Sequence, residues 1–181
     1  MRLFVAIELA DTARLEVLKV VDELSAIHNK QRFVSPDNLH FTLKFLGEVP
    51  EDKIAAVENA VAESVNGIKP FIVRTQDLGF FGSRRSARVV WVGTSKGMEE
   101  IIQIARKLDS RLSAFRKDER EPSPHITICR PLGETSKLIE DVEKMKFAEL
   151  GEMLVTAIKL KKSTLTPKGA VYEDVRTFEL I

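Results

Sequence analysis

The chain has 181 residues, of which 44% are hydrophobic and 30% charged, and a formal net charge of +1. These values suit one compact domain, or two small lobes sharing a core, and exclude a disordered or fibrous chain. The small net charge also excludes a strongly basic nucleic-acid-binding domain, so any site for a polyanion must be local. Three basic clusters are each more typical of a solvated surface: Arg84, Arg85 and Arg88; Arg116, Lys117 and Arg120; Lys159, Lys161 and Lys162.

The apolar patterns predict eleven elements in the order β-α-β-α-β-β-α-β-α-β-β. This mixture, with hairpin signals between several strands, predicts an α+β fold with antiparallel sheets and helices outside them. The predicted strands are 2–9, 39–46, 71–78, 87–93, 125–130, 153–160 and 170–180. The predicted helices are 13–27, 50–67, 95–115 and 136–145. Residues 116–124 are predicted to form a loop, and residues 166–169 a turn.

The element order divides into two similar halves, residues 1–93 and 94–181. Each half contains a helix, a strand with a His-x-Thr sequence, a second helix and further strands. We therefore expect a single two-lobed domain over residues 1–181. An internal duplication would place two equivalent strands opposite each other across a pseudo-two-fold axis.

The cysteine content and the apolar segments of the sequence indicate the expected cellular compartment. Cys129 is the single cysteine, so no intramolecular disulfide forms and a reducing cytoplasmic environment is expected. The apolar start at residues 1–9 is too short for a signal peptide and is typical of a strand, and no apolar run reaches the length of a membrane span. We expect a cytoplasmic monomer with no membrane partner.

Two of the three histidines occur in the same local frame, His40 with Thr42 and His125 with Thr127. Side chains two positions apart on a strand point to the same face, so each strand directs an imidazole and a hydroxyl the same way. The third histidine, His28, follows a predicted helix and is interpreted as structural. The neighbours expected on the opposite, core-facing side are Phe41, Leu43, Phe45, Ile126 and Ile128.

Two imidazoles facing one cleft suit general acid–base catalysis, because one is able to accept a proton while the other donates one. Threonine hydroxyls are able to hold the non-bridging oxygens of a phosphate during in-line displacement. Zinc binding by the histidines is the chemical alternative, with Cys129 as a conceivable third ligand because it has the strand parity of His125. No CxxC or HExxH pattern supports that alternative, and Cys129 is more typical of a small buried hydrophobic residue.

The two motifs, HFTLKFLG at residues 40–47 and PHITI at residues 124–128, resemble those of the two-histidine phosphoesterase superfamily. Within it the chain is similar to the RNA 2′,3′-cyclic phosphodiesterases, also called 2′-5′ RNA ligases. The similarity extends over essentially the whole chain and includes residues 2–7, residues 87–93, Ser163, Leu165, Gly169 and Tyr172.

The resemblance implies a bilobal fold with a central cleft and hydrolysis of an RNA 2′,3′-cyclic phosphate to a 2′-phosphate, without a metal or other cofactor. It assigns His40 as proton donor to the leaving oxygen and His125 as proton acceptor from water. Thr42 and Thr127 would hold the phosphate. The residues alone are symmetric and do not distinguish acid from base. Further candidates for substrate contact are Lys44, Arg130 and Tyr172, while Phe4 is interpreted as a core residue. Strand parity places Lys44 on the face of His40 and directs Arg130 away from His125, unless Pro131 breaks the parity.

Two other functions remain open at this stage. The same histidines are able to run the reaction in reverse and join tRNA halves through a 2′-5′ linkage. A protein that binds RNA ends or nucleotides without turnover is the non-enzymatic alternative, although binding alone needs no acid–base pair. In each case the expected partner is RNA with a 2′,3′-cyclic phosphate end, including tRNA fragments, and nucleotides are expected to fit the cleft.

Overall fold

The computed structural model describes residues 1–117, 119–146, 148–167 and 169–181, so Asp118 of the predicted loop and Lys168 of the predicted 166–169 turn lie outside it. The described chain forms nine strands and four helices, which confirms the α+β class. None of the helices in these ranges is long and apolar enough to cross a membrane. The strands are β1 (Arg2–Glu8), β2 (Arg32–Phe33), β3 (His40–Glu48), β4 (Phe71–Ser83), β5 (Ser86–Lys96), β6 (Ile126–Arg130), β7 (Glu149–Val155), β8 (Ala157–Thr166) and β9 (Gly169–Glu179), and the helices are α1 (Asp11–Ile27), α2 (Ile54–Val65), α3 (Met98–Leu112) and α4 (Ser136–Lys144).

All strand pairs in the described chain are antiparallel, and they join in the order β7-β4-β5-β6-β3-β1-β8-β9, with β2 beside β6. The two central strands, β3 and β6, meet through the pair Phe41 and Ile126. We call β3, β1, β8 and β9 the His40 half of the sheet, and β6, β5, β4 and β7 the His125 half. The two halves of the sheet are therefore joined edge to edge where the two His-x-Thr segments lie.

Each half of the sheet takes strands from both halves of the sequence. The His40 half pairs β1 with β8, so that Leu3 lies opposite Lys162. The helices also cross over: α2 and α3 pack on the His40 half, and α1 and α4 pack on the His125 half. This exchange results from two strand pairs: β7 of the second sequence half pairs with β4, and β8 pairs with β1.

Strand β1 shows how the sheet separates a core face from a cleft face. Leu3, Val5 and Ile7 are buried among the helices, as expected for alternate residues of a strand with one covered face. Phe4 and Glu8 point to the other face, and Glu8 lies directly opposite His40 on β3. The two histidines are thus mounted on strands whose opposite sides are anchored in the core.

The prediction of one strand over residues 153–160 is wrong. The chain forms two strands there, β7 and β8, which separate at Thr156 and pair in different halves of the sheet. The apolar alternation runs through the break, because both strands bury one face. Residues 32–33 form the short strand β2, which the sequence did not predict.

Candidate active site

A cavity of about 1430 Å³ opens between the two halves of the sheet. Thr42 of β3 lines one side, and His125 and Thr127 line the other. Helix α3 and the described part of the following loop form the remaining wall. The structure therefore brings the two predicted motifs to one cleft, with His40 adjoining it through Thr42.

The orientation of His40 is fixed by hydrogen bonds on both ring nitrogens. Nδ1 lies 2.7 Å from the carbonyl oxygen of Asn38, and Nε2 lies 2.9 Å from Oγ1 of Thr42. Because a carbonyl only accepts, Nδ1 carries the hydrogen, and in the neutral ring Nε2 accepts from the Thr42 hydroxyl. Asn38 itself donates to the carbonyl of Ala170, 2.8 Å away, which ties this segment to β9.

His125 is held in the same way. Its Nδ1 lies 2.6 Å from the carbonyl oxygen of Ser123, so Nδ1 donates and Nε2 is the nitrogen left for chemistry. In both motifs the accepting carbonyl belongs to the residue two positions before the histidine. The pseudo-symmetry expected from the sequence thus extends to the tautomer of each ring.

Both histidines are neutral in the free protein near pH 7. Burial lowers the pKa of His40 from its ordinary value of 6.5 to about 4, against the opposing effect of the hydrogen bond to Asn38. Burial also lowers the pKa of His125, where the hydrogen bond to Ser123 opposes the shift and the charge of Arg130 adds to it. A bound phosphate anion would raise both pKa values, because an opposite charge favours the protonated ring.

The lowered pKa of His40 predicts a dependence of stability on pH. Between about pH 6.5 and 4 the unfolded chain binds a proton at this residue that the folded protein does not, so stability is lost as the pH falls through this window. The loss amounts to about 3 kcal/mol at most. Urea unfolding at pH 7.5 and pH 4 should therefore show a larger loss in the wild type than in His40→Gln; equal losses would contradict the buried neutral ring.

Aromatic rings surround each histidine on the cleft face. The ring of His40 lies 5.1 Å from that of Phe4 and 5.5 Å from that of Tyr172, measured between centroids. Phe81 of β4 meets His125 edge to face at 5.0 Å. Phe4 is buried, as predicted, but it packs under the catalytic face rather than among the helices. No sequence signal distinguished Phe81 from a core residue.

A β-bulge follows each His-x-Thr segment. On β3, Thr42 pairs with Ala6 and Lys44 with Val5, so Leu43 is an extra residue. On β6, Thr127 pairs with Trp91 and Cys129 with Val90, so Ile128 is the extra residue. Such a bulge reverses the alternation of faces beyond it.

Because of the bulges, four residues lie on the face of the sheet opposite to the one that strand parity predicted. Lys44 and Cys129, expected beside the histidines, share the core face with their partners Val5 and Val90. Phe45 was expected in the core and Arg130 on the face away from His125; instead both line the cleft. The reason is the same in both strands, since one extra residue shifts the pleat by one position.

Lys44 forms a buried ion pair with helix α3. Its Nζ lies 2.5 Å from Oδ1 of Asp109, and none of its side chain is exposed. The prediction that it shares a face with His40 is therefore wrong, and its ammonium group is directed at the helix. This ion pair connects α3 with β3 below the cleft.

A second ion network lies beside His40. Lys161 is buried and binds the carboxylates of both Glu8 and Asp174, and Lys159 lies 2.6 Å from each of them. Lys161 lowers and Glu8 raises the pKa of His40, as smaller effects than burial. Two members of a basic cluster that we interpreted as solvated surface are thus structural cations on the cleft face.

Basic residues outnumber acidic ones along the cleft. Of its lining residues in the described chain, seven are basic and three acidic, although the whole chain carries a net charge of only +1. Positive charge is therefore concentrated locally at the cleft, as the small net charge requires of any site for a polyanion. The basic lining residues are Lys44, Arg88, Arg106, Arg116, Lys117, Arg120 and Arg130.

The alternative of a zinc site with Cys129 does not fit the structure. Cys129 is fully buried in the core, and burial raises the pKa of its thiol to about 12. A zinc ligand has to be a thiolate directed at the metal, whereas this side chain points away from His125. Among the residues that the structure describes, no group of three or more histidine, cysteine, aspartate and glutamate side chains is arranged to hold a metal ion.

The antiparallel sheet and its paired His-x-Thr strands define a two-histidine phosphoesterase. The family model described as LigT like Phosphoesterase matches the chain twice, over residues 7–91 and 92–172. The chain belongs to this LigT-like phosphoesterase family.

Two archaeal relatives match along almost the whole chain. The RNA 2′,3′-cyclic phosphodiesterase of Methanothermobacter thermautotrophicus is 37% identical, covering 99% of this chain and 98% of the relative. That of Archaeoglobus fulgidus is 38% identical, covering 99% and 100%. Among solved structures, apo E. coli LigT has a TM-score of 0.77 at 28% identity, covering 99% of this chain and 96% of LigT, and LigT has also been crystallised with 3′-AMP and with phosphate.

Proposed function

We propose that this protein hydrolyses RNA 2′,3′-cyclic phosphate ends to 2′-phosphomonoesters by acid–base catalysis with His40 and His125. The observation that carries the proposal is the matched pair of imidazoles at one cleft. Each has Nδ1 committed to a backbone carbonyl, which leaves Nε2 for proton transfer. The archaeal relatives described as RNA 2′,3′-cyclic phosphodiesterases support this assignment.

In the reaction a water oxygen bonds to phosphorus while the bond from phosphorus to the 3′ oxygen breaks. His125 Nε2 accepts the proton that the water loses. His40, protonated at Nε2 when the substrate phosphate raises its pKa, gives that proton to the leaving 3′ oxygen. The products are a free 3′ hydroxyl and a 2′-phosphate, and water supplies the added oxygen and hydrogens.

The phosphate is held by groups on both halves of the sheet. The hydroxyls of Thr42 and Thr127 line the cleft and are able to donate to the non-bridging oxygens. Arg130 supplies a guanidinium on the His125 side, where the bulge directs it into the cleft. Tyr172 supports the ring of His40 from β9. Lys44 has no direct part, because its ammonium group pairs with Asp109.

The partner is RNA with a cyclic phosphate end, and the cleft also accepts nucleotides that carry a similar phosphate. LigT, crystallised with 3′-AMP and with phosphate, supports this for a relative with the same fold. For this chain, the binding of RNA ends and nucleotides is supported by the cationic lining of the cleft, since phosphate contacts dominate the affinity of proteins for nucleic acids. We further propose that the single domain acts as a monomer in the cytoplasm.

The proposal is tested with an RNA oligonucleotide that ends in a 2′,3′-cyclic phosphate, incubated with the protein and excess chelator. We expect a 2′-phosphate product, identified by its mass, by its sensitivity to a general phosphatase and by its resistance to a phosphatase specific for 3′-phosphates. Adding an RNA fragment with a free 5′ hydroxyl tests whether that hydroxyl attacks the cyclic phosphate in place of water and forms a 2′-5′ linkage.

Three outcomes would change the assignment. A 3′-phosphate product would reverse the leaving group and so contradict the role of His40. A 2′-5′ joined product without hydrolysis would replace the hydrolase by a ligase. Binding of the RNA without either product would leave the non-enzymatic alternative.

A further inference from the structure

Glu8 is the residue of β1 that lies directly opposite His40 on β3. Directly opposite residues of an antiparallel pair project from the same face, with their Cβ atoms about 5 Å apart. The carboxylate of Glu8 therefore stands on the cleft face beside the imidazole of His40. A negative charge at this range stabilises the protonated form of the ring.

Two lysines hold the carboxylate of Glu8 in place. Oε1 accepts a hydrogen bond from Nζ of Lys161, which is buried, and Oε2 lies 2.6 Å from Nζ of Lys159. Both lysines also bind Asp174, so that two cations and two anions join β1, β8 and β9. Burial alone would raise the pKa of Glu8, but the two lysine hydrogen bonds outweigh it and hold that pKa below its ordinary value. The carboxylate is therefore ionised near pH 7.

The corresponding position beside His125 carries no carboxylate. Strand β5 pairs with β6 as β1 pairs with β3, and Val92 lies opposite Ile126. Gly93, the next residue along β5, is thus the counterpart of Glu8. Beyond burial, the charge of Arg130 lowers the pKa of His125. The two halves share their histidines and threonines but differ in the charge beside the ring.

We infer that Glu8 is the positioning residue that makes His40, rather than His125, the proton donor. Its carboxylate favours the imidazolium form of the ring opposite it. Lys159 and Lys161 keep that carboxylate on the cleft face and ionised, so that it does not take the proton itself. The inference rests on the proposed function, and it gives a physical reason for a division of roles that the two motifs alone leave symmetric.

Other titratable groups around His40 set how large the effect of Glu8 is. Burial and the hydrogen bond to Asn38 have the largest and opposing effects on the pKa of His40, and Lys161 and His125 lower it further. The remaining neighbours on the cleft face are Lys159, Asp174 and Tyr172. Because Lys161 opposes Glu8, removing the carboxylate alone leaves an excess of positive charge beside the ring.

The test is a titration of both cleft imidazoles by NMR, with their signals assigned from His40→Gln and His125→Gln. It uses the free protein and the protein in sodium sulfate, a phosphate mimic whose charge does not change over the range. We expect Glu8→Gln to lower the midpoint of His40 by about 0.5 to 1.5 pH units and to leave that of His125 unchanged. Loosened packing would expose His40 and raise its midpoint, so it cannot produce the expected decrease.

The same change should appear in the kinetics of a cyclic-phosphate RNA at pH 7. Glu8→Gln is expected to lower kcat about 3- to 30-fold, in proportion to the lost imidazolium, with KM unchanged. Glu8→Asp keeps the charge and should restore most of kcat. Glu8→Gln combined with Lys159→Met leaves Lys161 and Asp174 as a balanced pair, and should lower the His40 midpoint in a fold without an unpaired lysine.

Asp174→Asn serves as the matched control, because it removes a carboxylate from the same two lysines without being opposite His40. It should leave the His40 midpoint nearly unchanged. An unchanged midpoint in Glu8→Gln, or an equal decrease in Asp174→Asn or at His125, would overturn the inference while hydrolysis by the wild type upheld the proposed function. No hydrolysis by the wild type, with a His40 midpoint that depends on Glu8, would refute the proposed function and retain the effect of Glu8 on the ring.

Discussion

The exchange of His125 for alanine is expected to lower kcat by about 10²- to 10⁴-fold, with a much smaller change in KM. The imidazole faces the cleft with Nδ1 fixed to the Ser123 carbonyl, so the exchange removes the proposed proton acceptor. Thr42 and Thr127, the proposed phosphate ligands, remain in the cleft. Single-turnover hydrolysis of a cyclic-phosphate RNA at pH 7 measures the effect.

His40→Ala is expected to cause a loss of similar size, and the double variant should be far less impaired than the product of the two losses. Residues that act in one transition state are not additive, because the second exchange has little catalysis left to remove. Multiplicative losses would indicate that the two histidines serve separate steps.

His28 provides the matched control in the same chain. It lies at the end of α1, and its Nε2 is 2.9 Å from Oδ2 of Asp141 on α4. His28→Gln should therefore leave kcat within about twofold of wild type, while weakening the contact between the two helices. A large loss of kcat in this variant would show that the effect of exchanging histidine is not specific to the cleft.

Asp109→Ala is expected to lower the free energy of unfolding by about 3 kcal/mol. The exchange removes the carboxylate that lies 2.5 Å from Nζ of Lys44 and leaves an ammonium group in a fully buried side chain. The predicted loss is at the lower end of the range for broken buried ion pairs, since Asp109 is partly exposed and water is able to reach it. Urea unfolding at pH 7.5 measures the change.

A second exchange separates the buried charge from other effects of losing Asp109. Lys44→Met combined with Asp109→Ala removes both charges of this pair and should be more stable than Asp109→Ala alone. Asp52→Ala, at a largely exposed carboxylate, should change stability by less than about 0.5 kcal/mol. A double variant no more stable than Asp109→Ala would contradict the importance of the ion pair between Lys44 and Asp109.

The sequence was sufficient to predict which strands bring the two His-x-Thr segments to the cleft. Period-two spacing placed His40 with Thr42 and His125 with Thr127, and the aliphatic residues between them indicated strands anchored in a core. These features depend only on neighbouring residues, so they are visible without the fold. The class of fold followed in the same way from the order of elements.

The surroundings of the site could not be predicted, because they depend on register. The extra residue at Leu43 exchanges the faces of Lys44 and Phe45, and the one at Ile128 those of Cys129 and Arg130, yet neither changes the apolar pattern. The break at Thr156 is similarly invisible, since both flanking strands bury alternate residues. Pairing between distant strands decides these features, and a single sequence contains no direct record of it.

The exchange of strands between the two halves of the sheet sets an order of assembly during synthesis. The His125 half is built from one continuous stretch, β4 to β7, whereas the His40 half pairs β1 with β8, which lie far apart in the sequence. Contacts between residues so far apart in sequence form late in folding. On the ribosome the His125 half is able to form while β8 and β9 are still being made. A chain interrupted before β8 would lack Tyr172 and Ala170, which contact His40 and Asn38, so the surroundings of His40 are completed only once β9 has been made.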